Sequence, residues 1–182
     1  MLVAVVGPSG AGKDTLMAGA RAALDDDPRF HFARRAITRP AEAGGEAHEA
    51  LSEASFRMRR STGQFALDWE AHGLMYGVPI EIEADMAAGR VVVANLSRAI
   101  LRRADDRYRL RVLLITAPFA VLAARLAARG RESAADIEAR LAREVALPPG
   151  LDVAPVMNDG TVEGGVARVL AMLNRAAADA RR

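Results

Sequence analysis

Short runs of consecutive hydrophobic residues recur along the chain, separated by segments in which hydrophobic and polar residues are mixed. Such runs are typical of strands buried on both faces of a sheet, and the mixed segments favour helices that cover it. Because the two kinds of segment alternate, we predict an α/β fold with helices on both faces of a parallel sheet. The predicted strands are Leu2–Val6, Phe30–Ile37, Val91–Leu96, Leu110–Thr116 and Val153–Met157. The predicted helices are Thr15–Leu24, Pro79–Ala88, Pro118–Ala128, about 133–145 and Val162–Ala180.

The segment 38–78 interrupts this alternation. Glycines and a proline divide it into short pieces, which is typical of turns and irregular structure. Within it we predict a helix over Ser55–Arg60 and strands over Phe65–Trp69 and Leu74–Val78. The segment therefore resembles an insertion between two parts of a regular fold.

Composition limits the class of protein. The chain has 182 residues, 51% hydrophobic and 26% charged, which are globular values that suit one domain. We predict a single domain over 1–182, with a core formed by 1–37 and 79–182. No apolar run approaches the ~18 residues of a membrane span, and the apolar start is too short for a signal peptide.

The charge and the residue types also exclude several partners. The chain has no cysteine, so it has neither a disulfide framework nor a thiolate metal site. A net charge of +2 with only 4% aromatic residues does not favour nucleic-acid binding. We expect a cytoplasmic protein, monomeric or homodimeric, with small-molecule partners and no membrane or nucleic-acid partner.

One lysine stands among the 25 basic residues, and it is Lys13. It lies in the run GPSGAGKD at 7–14, which has the spacing G-x-x-x-x-G-K of a phosphate-binding loop. Placed between a strand and a helix, such a loop points backbone N–H groups and a helix dipole at one anion. An ordinary glycine turn is the alternative, but the context and the single lysine favour the phosphate loop. The residues expected to bind the nucleotide here are Gly7, Pro8, Ser9, Gly10, Ala11, Gly12, Lys13, Asp14 and Thr15.

Asp14 stands where this loop usually has the serine or threonine that holds Mg²⁺. A carboxylate is a hard oxygen ligand that suits Mg²⁺, so we predict Asp14 as the metal ligand, directly or through a water. The alternative is that Asp14 only complements the N-terminus of the helix. We favour the metal because a second anion beside a triphosphate needs a cation to offset it.

Beyond this loop, nearly the whole chain resembles the guanylate kinase family of phosphate-loop kinases. The motifs that carry the resemblance are ITRP at 37–40, ALDW at 66–69, MYG at 75–77, an arginine-rich segment at 125–131 and ND at 158–159. The resemblance implies ATP as donor, Mg²⁺ as cofactor, an acceptor-binding role for 38–78 and a lid near 129–140. It also implies that Asn158 lies beside the adenine and that three lid arginines act on the transferred group: Arg125, Arg129 and Arg140. For Arg140 the alternative is a surface ion pair with Asp136, four residues earlier.

The departures from that family concern the acceptor. The family's Asp-x-Asp, which reads guanine, is Asn95-Leu96-Ser97 in this chain, and a hydroxyl residue expected after Gly77 is Val78. Loss of two carboxylates suits a more anionic acceptor, because like charges in a cleft repel. With these changes the chain resembles a branch of the family that phosphorylates ribose 1,5-bisphosphate to 5-phosphoribosyl 1-diphosphate and is linked to phosphonate breakdown.

The acceptor side is assigned to polar residues in and after the insertion. Arg39 is expected to bind the acceptor phosphate, Arg98 a second phosphate, and Asn95 and Ser97 the sugar hydroxyls. The full set is Arg39, His48, Asp68, Tyr76, Asn95, Ser97 and Arg98. Of the remaining residues, we expect Arg34 and Arg35 to be solvated, as charged residues usually are, and His31 and His72 to be structural or exposed.

Two other functions remain open at this point. The first is a guanylate or other nucleoside monophosphate kinase, against which the loss of Asp-x-Asp counts. The second is a non-catalytic binding module of the guanylate kinase type. Such modules typically lose the phosphate loop, which this chain retains.

Overall fold

The computed structural model describes residues 1–43, 46–128 and 146–181, and these residues form nine strands in two sheets. The strands are β1 Leu2–Val6, β2 Phe30–Phe32, β3 Ala36–Ile37, β4 Glu49–Ala50, β5 Phe65–Ala71, β6 Leu74–Pro79, β7 Val91–Asn95, β8 Leu110–Thr116 and β9 Val153–Met157. The described α-helices are α1 Lys13–Ala23, α2 Glu53–Ser61, α3 Ile82–Ala87, α4 Leu101–Arg107, α5 Phe119–Ala127 and α6 Val162–Ala180.

The larger sheet is parallel throughout, in the order β2-β7-β1-β8-β9. Parallel pairing requires connections that cross a face of the sheet, and described helices α1, α4 and α5 follow β1, β7 and β8 in the chain. The predicted parallel α/β fold is confirmed, and three strands have the predicted bounds: β1, β8 and β9. Within the described residues, no helix combines the length and the apolar character that crossing a membrane requires.

Alternate residues of β1 point to opposite faces of the sheet and enter two different cores. Val3 and Val5 pack with α1 and α6, through residues such as Leu16 and Leu173. Leu2, Ala4 and Val6 instead pack with α3, α4 and the smaller sheet. A strand buried on both faces is hydrophobic at every position, which is why this run could be predicted.

The smaller sheet has the order β4-β3-β6-β5 and mixes parallel and antiparallel pairs. Its strands come from the part of the chain between Ala36 and Pro79, which contains the predicted insertion. Phe65 stacks on Phe56 of α2 at 4.6 Å, while Leu67 and Trp69 pack toward the larger sheet. The smaller sheet therefore packs against the larger one, with Leu67 and Trp69 on the side that faces it.

Two predicted elements need correction, and one observed helix was missed. The strand predicted over Phe30–Ile37 is two strands, because Phe30–Phe32 pairs with β7 in one sheet and Ala36–Ile37 with β6 in the other. Pro79 ends β6, so α3 begins at Ile82 rather than at the proline. Helix α4, which follows a 3₁₀ turn at Arg98–Ile100, was not predicted. The helix predicted at about 133–145 lies outside the described residues.

The strand order places a switch point between β1 and β7. The connection after β1 begins with α1 on one face of the sheet, and the connection after β7 leads to α4 on the opposite face, so the two connections diverge to opposite faces. In open α/β sheets, ligands bind in the crevice that this divergence leaves at the carboxyl ends of the strands. The phosphate loop follows β1, and Asn95 to Arg98 follow β7, so the fold brings both segments to this crevice.

Candidate active site

The loop between β1 and α1 is shaped by glycines that no larger residue can replace. A Cβ on Gly7 would lie 1.9 Å from the carbonyl oxygen of Ile115. Gly12, the N-cap of α1, has φ of 82° in the left-handed region, and a Cβ there would lie 2.6 Å from Nδ2 of Asn158. Left-handed backbone and close approach both favour glycine, so the loop is held tightly against β8 and the segment after β9.

Lys13, the first residue of α1, turns its side chain back over this loop. Its Nζ donates to the carbonyl oxygens of Gly7 at 2.8 Å and Pro8 at 3.1 Å. Burial lowers the pKa of Lys13, and the nearby positive charges of Arg98 and Arg35 lower it further, against the raising effect of the carboxylate of Asp14. The ammonium group thus stands at the mouth of the loop in a cluster of cations, an arrangement suited to an anion.

Asn158, predicted to contact the nucleotide, lies beneath the loop. Its side chain is buried, and Nδ2 donates to the carbonyl oxygen of Ala11 at 2.8 Å. Its own backbone N–H donates to Thr116 at 2.7 Å, which fixes the turn after β9. In this structure Asn158 supports the loop from below, and its contact with the adenine stays a prediction.

Of the three predicted lid arginines, Arg125 is described. It lies on α5, and its Nη1 is 3.4 Å from the carbonyl oxygen of Gly10, to which it donates. Arg129 and Arg140, together with the predicted lid at about 129–140, lie outside the described residues. Arg125 is therefore placed against the phosphate loop itself.

A cleft of about 360 Å³ opens between the two sheets at the switch point. One side is formed by the phosphate loop and Lys13, and the other by residues of the smaller sheet. Of the predicted acceptor residues, the structure brings three to the cleft: Tyr76, Ser97 and Arg98. Ser97 also caps the 3₁₀ turn after β7, since its Oγ accepts from the N–H of Ala99.

Arg35 lines the same cleft, and the expectation that it is solvated was wrong. The residue is only 9% exposed, and its guanidinium lies over the rings of Tyr76 and Trp69 at 5.2 and 5.5 Å. Those two rings stack at 5.2 Å. Its neighbour Arg34 is exposed, as predicted, and donates from Nη2 to the carbonyl oxygen of His48 at 2.8 Å. The position of Arg35 four residues before Arg39, in a stretch free of acids, was the available signal.

Glu46 is the second residue that sequence reasoning missed. Its Oε1 accepts from Nε of Arg35 at 2.6 Å, and its Oε2 accepts from Nδ2 of Asn95 at 2.6 Å. Predicted to bind sugar hydroxyls, Asn95 is thus bonded to a carboxylate. Glu46 links the end of β7 to the start of β3, and so joins the two sheets beside the cleft.

Asp14 shares a smaller cavity, of about 180 Å³, with Glu46 and Asn95. Asp14 is exposed in the first turn of α1. The described residues contain no group of three or more His, Cys, Asp or Glu side chains that could hold a metal. Two carboxylates and an amide oxygen are nevertheless hard donors, and Mg²⁺ often takes one or two carboxylates with phosphates and waters. The donor set fits a nucleotide-bound Mg²⁺.

Arg39 and His48 form a pair beside the cleft and are not among the residues that line it. His48 is 4% exposed, and its Nε2 lies 3.0 Å from the carbonyl oxygen of Arg39. Its Nδ1 lies 3.0 Å from the carbonyl oxygen of Glu46 and 3.3 Å from Nη2 of Arg39, so both ring nitrogens of His48 are in contact with protein groups. Within the described residues, the buried Nε of Arg39 has no hydrogen-bond partner.

Asp68 is not brought to the cleft. It lies between Leu67 and Trp69 on β5, so its side chain points to the face of the strand opposite to these two buried residues. Its Oδ2 pairs with Nη2 of Arg60 at 2.8 Å, and the guanidinium of Arg103 lies against its carbonyl oxygen. His72, expected to be structural or exposed, lines the cleft at the turn between β5 and β6. His31 pairs with the carboxylate of Asp85.

The parallel sheet, the glycine loop between β1 and α1, and the cation-lined cleft define a phosphate-loop kinase. No protein-family model matches the chain. Of solved structures, a guanylate kinase from Anaplasma phagocytophilum has a TM-score of 0.65 at 18% identity, over 97% of this chain and 85% of that one, which shows a shared fold.

Curated relatives are more similar in sequence. A ribose 1,5-bisphosphate phosphokinase PhnN of Brucella melitensis biotype 2 is 53% identical over 162 residues, which are 88% of this chain and 84% of that protein. A bifunctional ribose 1,5-bisphosphokinase-thymidine phosphorylase of Azorhizobium caulinodans is 54% identical over 93% of this chain. The chain spans about a quarter of the length of that bifunctional relative. The chain belongs to the ribose 1,5-bisphosphate phosphokinase family, a family of phosphotransferases.

Proposed function

We propose that this protein transfers the γ-phosphoryl group of ATP to the 1-phosphate of ribose 1,5-bisphosphate, giving 5-phosphoribosyl 1-diphosphate and ADP. The observation that carries the proposal is the charge of the cleft. Lys13, Arg35 and Arg98 line it together, and none of its described lining residues is acidic. A cleft with a cationic described lining is suited to an acceptor that carries two phosphates, and unsuited to reading the N–H edge of a purine.

The reaction needs charge and position rather than a base. A phosphate oxygen of the acceptor is already ionised near neutral pH, so it can attack the γ-phosphorus as ADP leaves with the bonding electron pair. Phosphoryl transfer of this kind depends on alignment and on cations around the transferred group. Asp68, which lies away from the cleft, is not needed for proton removal.

The loop residues would bind the donor. Backbone N–H groups at the N-terminus of α1 point at one anion, and Lys13 would leave the carbonyl oxygens of Gly7 and Pro8 for the β- and γ-phosphates. Arg125, which touches the loop at Gly10, would neutralise charge from the opposite side. Arg129 and Arg140 keep the role that their sequence position implies, as arginines that close over the transferred group.

The acceptor would occupy the part of the cleft between Tyr76 and Ser97. Arg98, which follows Ser97, would supply a cation to a phosphate, and the hydroxyl of Ser97 would bind the sugar. The Arg39–His48 pair lies close by, and the unpartnered Nε of Arg39 would suit an acceptor phosphate that reaches it.

Mg²⁺ is the proposed cofactor, with Asp14 as its protein ligand. When bound, the ion would offset charge on the donor phosphates and hold them in one arrangement. Asp14 would orient it from the first turn of α1, directly or through a water, with Glu46 and Asn95 across the small cavity.

The test compares acceptors directly. Turnover is followed by ADP release and by ³¹P NMR with ribose 1,5-bisphosphate, GMP and other nucleoside monophosphates, each with Mg·ATP. We expect kcat/KM for the sugar bisphosphate to exceed that for GMP by at least about 100-fold, and turnover to stop when the metal is chelated. Faster turnover of GMP would show a nucleotide kinase instead. Absence of ATP binding by calorimetry would show a non-catalytic module.

A further inference from the structure

Arg35 is a buried cation of the cleft that the mechanism above leaves without a task. It precedes β3 in the smaller sheet, on the side of the cleft opposite the phosphate loop. The attacking phosphate of the acceptor must reach the donor at Lys13, so a second phosphate, held across the sugar ring, must point away from the loop. The side of the cleft that carries Arg35 is where such a phosphate would arrive.

The hydrogen bonds of Arg35 leave its terminal nitrogens, Nη1 and Nη2, available to a ligand. Only Nε donates to Glu46, at 2.6 Å, and within the described residues Nη1 and Nη2 make no hydrogen bond. A guanidinium binds a phosphate best through two parallel N–H groups. Because the carboxylate occupies Nε, those groups remain directed at the ligand rather than at the protein.

The setting also fixes the plane of that guanidinium. It lies on the stacked pair of Tyr76 and Trp69, and Arg is the cation that stacks well on aromatic faces. Glu46 is itself held at its other oxygen by Asn95. A side chain fixed on three sides loses little conformational freedom when it binds, which favours affinity.

A second arginine, on α2 beside the smaller sheet, shows what a purely structural version of this arrangement looks like. Arg59 lies over the ring of Phe65 at 5.4 Å and pairs with Glu49 at 2.8 Å. Its Nε also donates to Gln64 at 3.1 Å, so both sides of that guanidinium are bonded to protein. Arg59 is not among the residues that line the cleft. Arg35 also has aromatic and carboxylate partners, but its Nη1 and Nη2 face the cleft.

We propose that Arg35, held by Glu46 and stacked on Trp69 and Tyr76, binds the 5-phosphate of the acceptor through Nη1 and Nη2. Arg35 is thereby the residue that selects a sugar bisphosphate over acceptors with one phosphate. This inference rests on the proposed function and adds to it the group that reads the non-reacting phosphate. Arg98 then remains for the phosphate that attacks.

The experiment pairs a truncated side chain with a truncated ligand. Dissociation constants of ribose 1,5-bisphosphate and of ribose 1-phosphate, which lacks the 5-phosphate, are measured by calorimetry for the unmodified protein and for Arg35→Met. We expect Arg35→Met to weaken binding of the bisphosphate by about 10- to 100-fold. Binding of ribose 1-phosphate should change by less than about twofold, because the two truncations remove one interaction.

Two further variants keep the test decisive. Arg59→Met removes an arginine from a matched aromatic and carboxylate setting away from the cleft, so it should leave both dissociation constants unchanged. Arg35→Lys keeps the charge and loses the forked pair of donors, so its loss for the bisphosphate should lie between those of the unmodified protein and Arg35→Met. If Arg35→Met does not fold, Arg35→Lys carries the comparison of the two ligands.

The outcomes separate the two proposals. Equal losses for both ligands, or no loss for either, would show that Arg35 only supports the aromatic pair and would overturn the inference. If the unmodified protein phosphorylates ribose 1,5-bisphosphate in that case, the proposed function stands without it. If the unmodified protein does not phosphorylate this sugar, the proposed function fails and the inference fails with it.

Discussion

The two sides of the cleft are built in different ways. The phosphate loop is a backbone structure, in which residues 7–12 connect β1 to α1 and the helix begins at Lys13. The opposite side, which we call the acceptor wall, consists of the side chains of Arg35, Trp69 and Tyr76, together with Glu46, which does not line the cleft and is bonded to Arg35. These four residues come from separate segments of the smaller sheet and its connections.

This difference has a functional consequence. A loop of backbone N–H groups binds any triphosphate, because it recognises geometry and charge that all nucleotides share. A wall of side chains can be changed one residue at a time and can therefore specify an acceptor. We conclude that the phosphate loop sets the class of reaction and the acceptor wall sets the substrate.

The largest expected effect is on the loop side, with Lys13→Met. Methionine keeps most of the length of the side chain and removes the ammonium group, which would act on the transferred phosphoryl group. We expect kcat to fall by about 100- to 1000-fold, with little change in the affinity for the sugar. Steady-state kinetics at saturating Mg·ATP measure this.

The comparison with Arg35→Met is what makes the result informative. A lesion in the loop should lower kcat, and a lesion in the acceptor wall should raise KM for the sugar. If Lys13→Met and Arg35→Met gave the same change in both constants, the division of the site into two regions would be wrong. Undiminished kcat in Lys13→Met would also contradict the role of the loop.

A smaller effect is expected from Gly12→Ala, which tests how tightly the loop is held. Alanine is strained at φ of 82°, and its Cβ would displace Asn158 from the carbonyl of Ala11. We expect the free energy of unfolding to fall by about 2 to 4 kcal/mol, from the strain and one lost buried hydrogen bond. Urea unfolding measures it.

Gly89→Ala is the matched control for that variant. Gly89 has φ of 80°, and none of the described atoms lies within 4 Å of the Cβ that would be added. Its loss should be limited to about 1 to 2 kcal/mol of backbone strain. Equal losses in the two variants would mean that contact with Asn158 contributes nothing to the loop.

The same contrast explains what could be predicted from the sequence. β1, the loop and Lys13 are contiguous, and each has a local pattern: a fully apolar strand, a fixed glycine spacing and a single lysine. The acceptor wall has no such pattern, because Arg35 becomes buried only when Glu46 and the aromatic pair converge on it. A charged residue is usually exposed, so composition alone predicted the wrong environment for Arg35.

Two other differences have equally specific causes. Asn95 was expected to face the sugar, and its bond to Glu46 depends on a contact across 49 positions of the chain. The break between β2 and β3 was missed because Phe30–Ile37 is apolar at both ends, and only its two pairing partners, β7 and β6, reveal two strands. Local patterns predict elements, while contacts between sheets decide how those elements are used.

The smallest expected effect concerns the charge of Lys13 in the protein without nucleotide. Burial, with the nearby cations, lowers the pKa of Lys13 in the folded state below its ordinary value of 10.5. Between that lowered pKa and about 10.5 the unfolded chain binds more protons than the folded one. The contribution of Lys13 to the free energy of unfolding therefore rises with pH across this window.

Comparison of the unmodified protein with Lys13→Met isolates that contribution. Other shifted groups, such as the Met1 amino group and Tyr108, are present in both proteins and cancel in the difference. Urea unfolding from about pH 8 to about pH 10.5 should show the unmodified protein gaining stability relative to Lys13→Met as pH rises. Parallel curves would show that the lysine is as well solvated in the folded loop as in the unfolded chain.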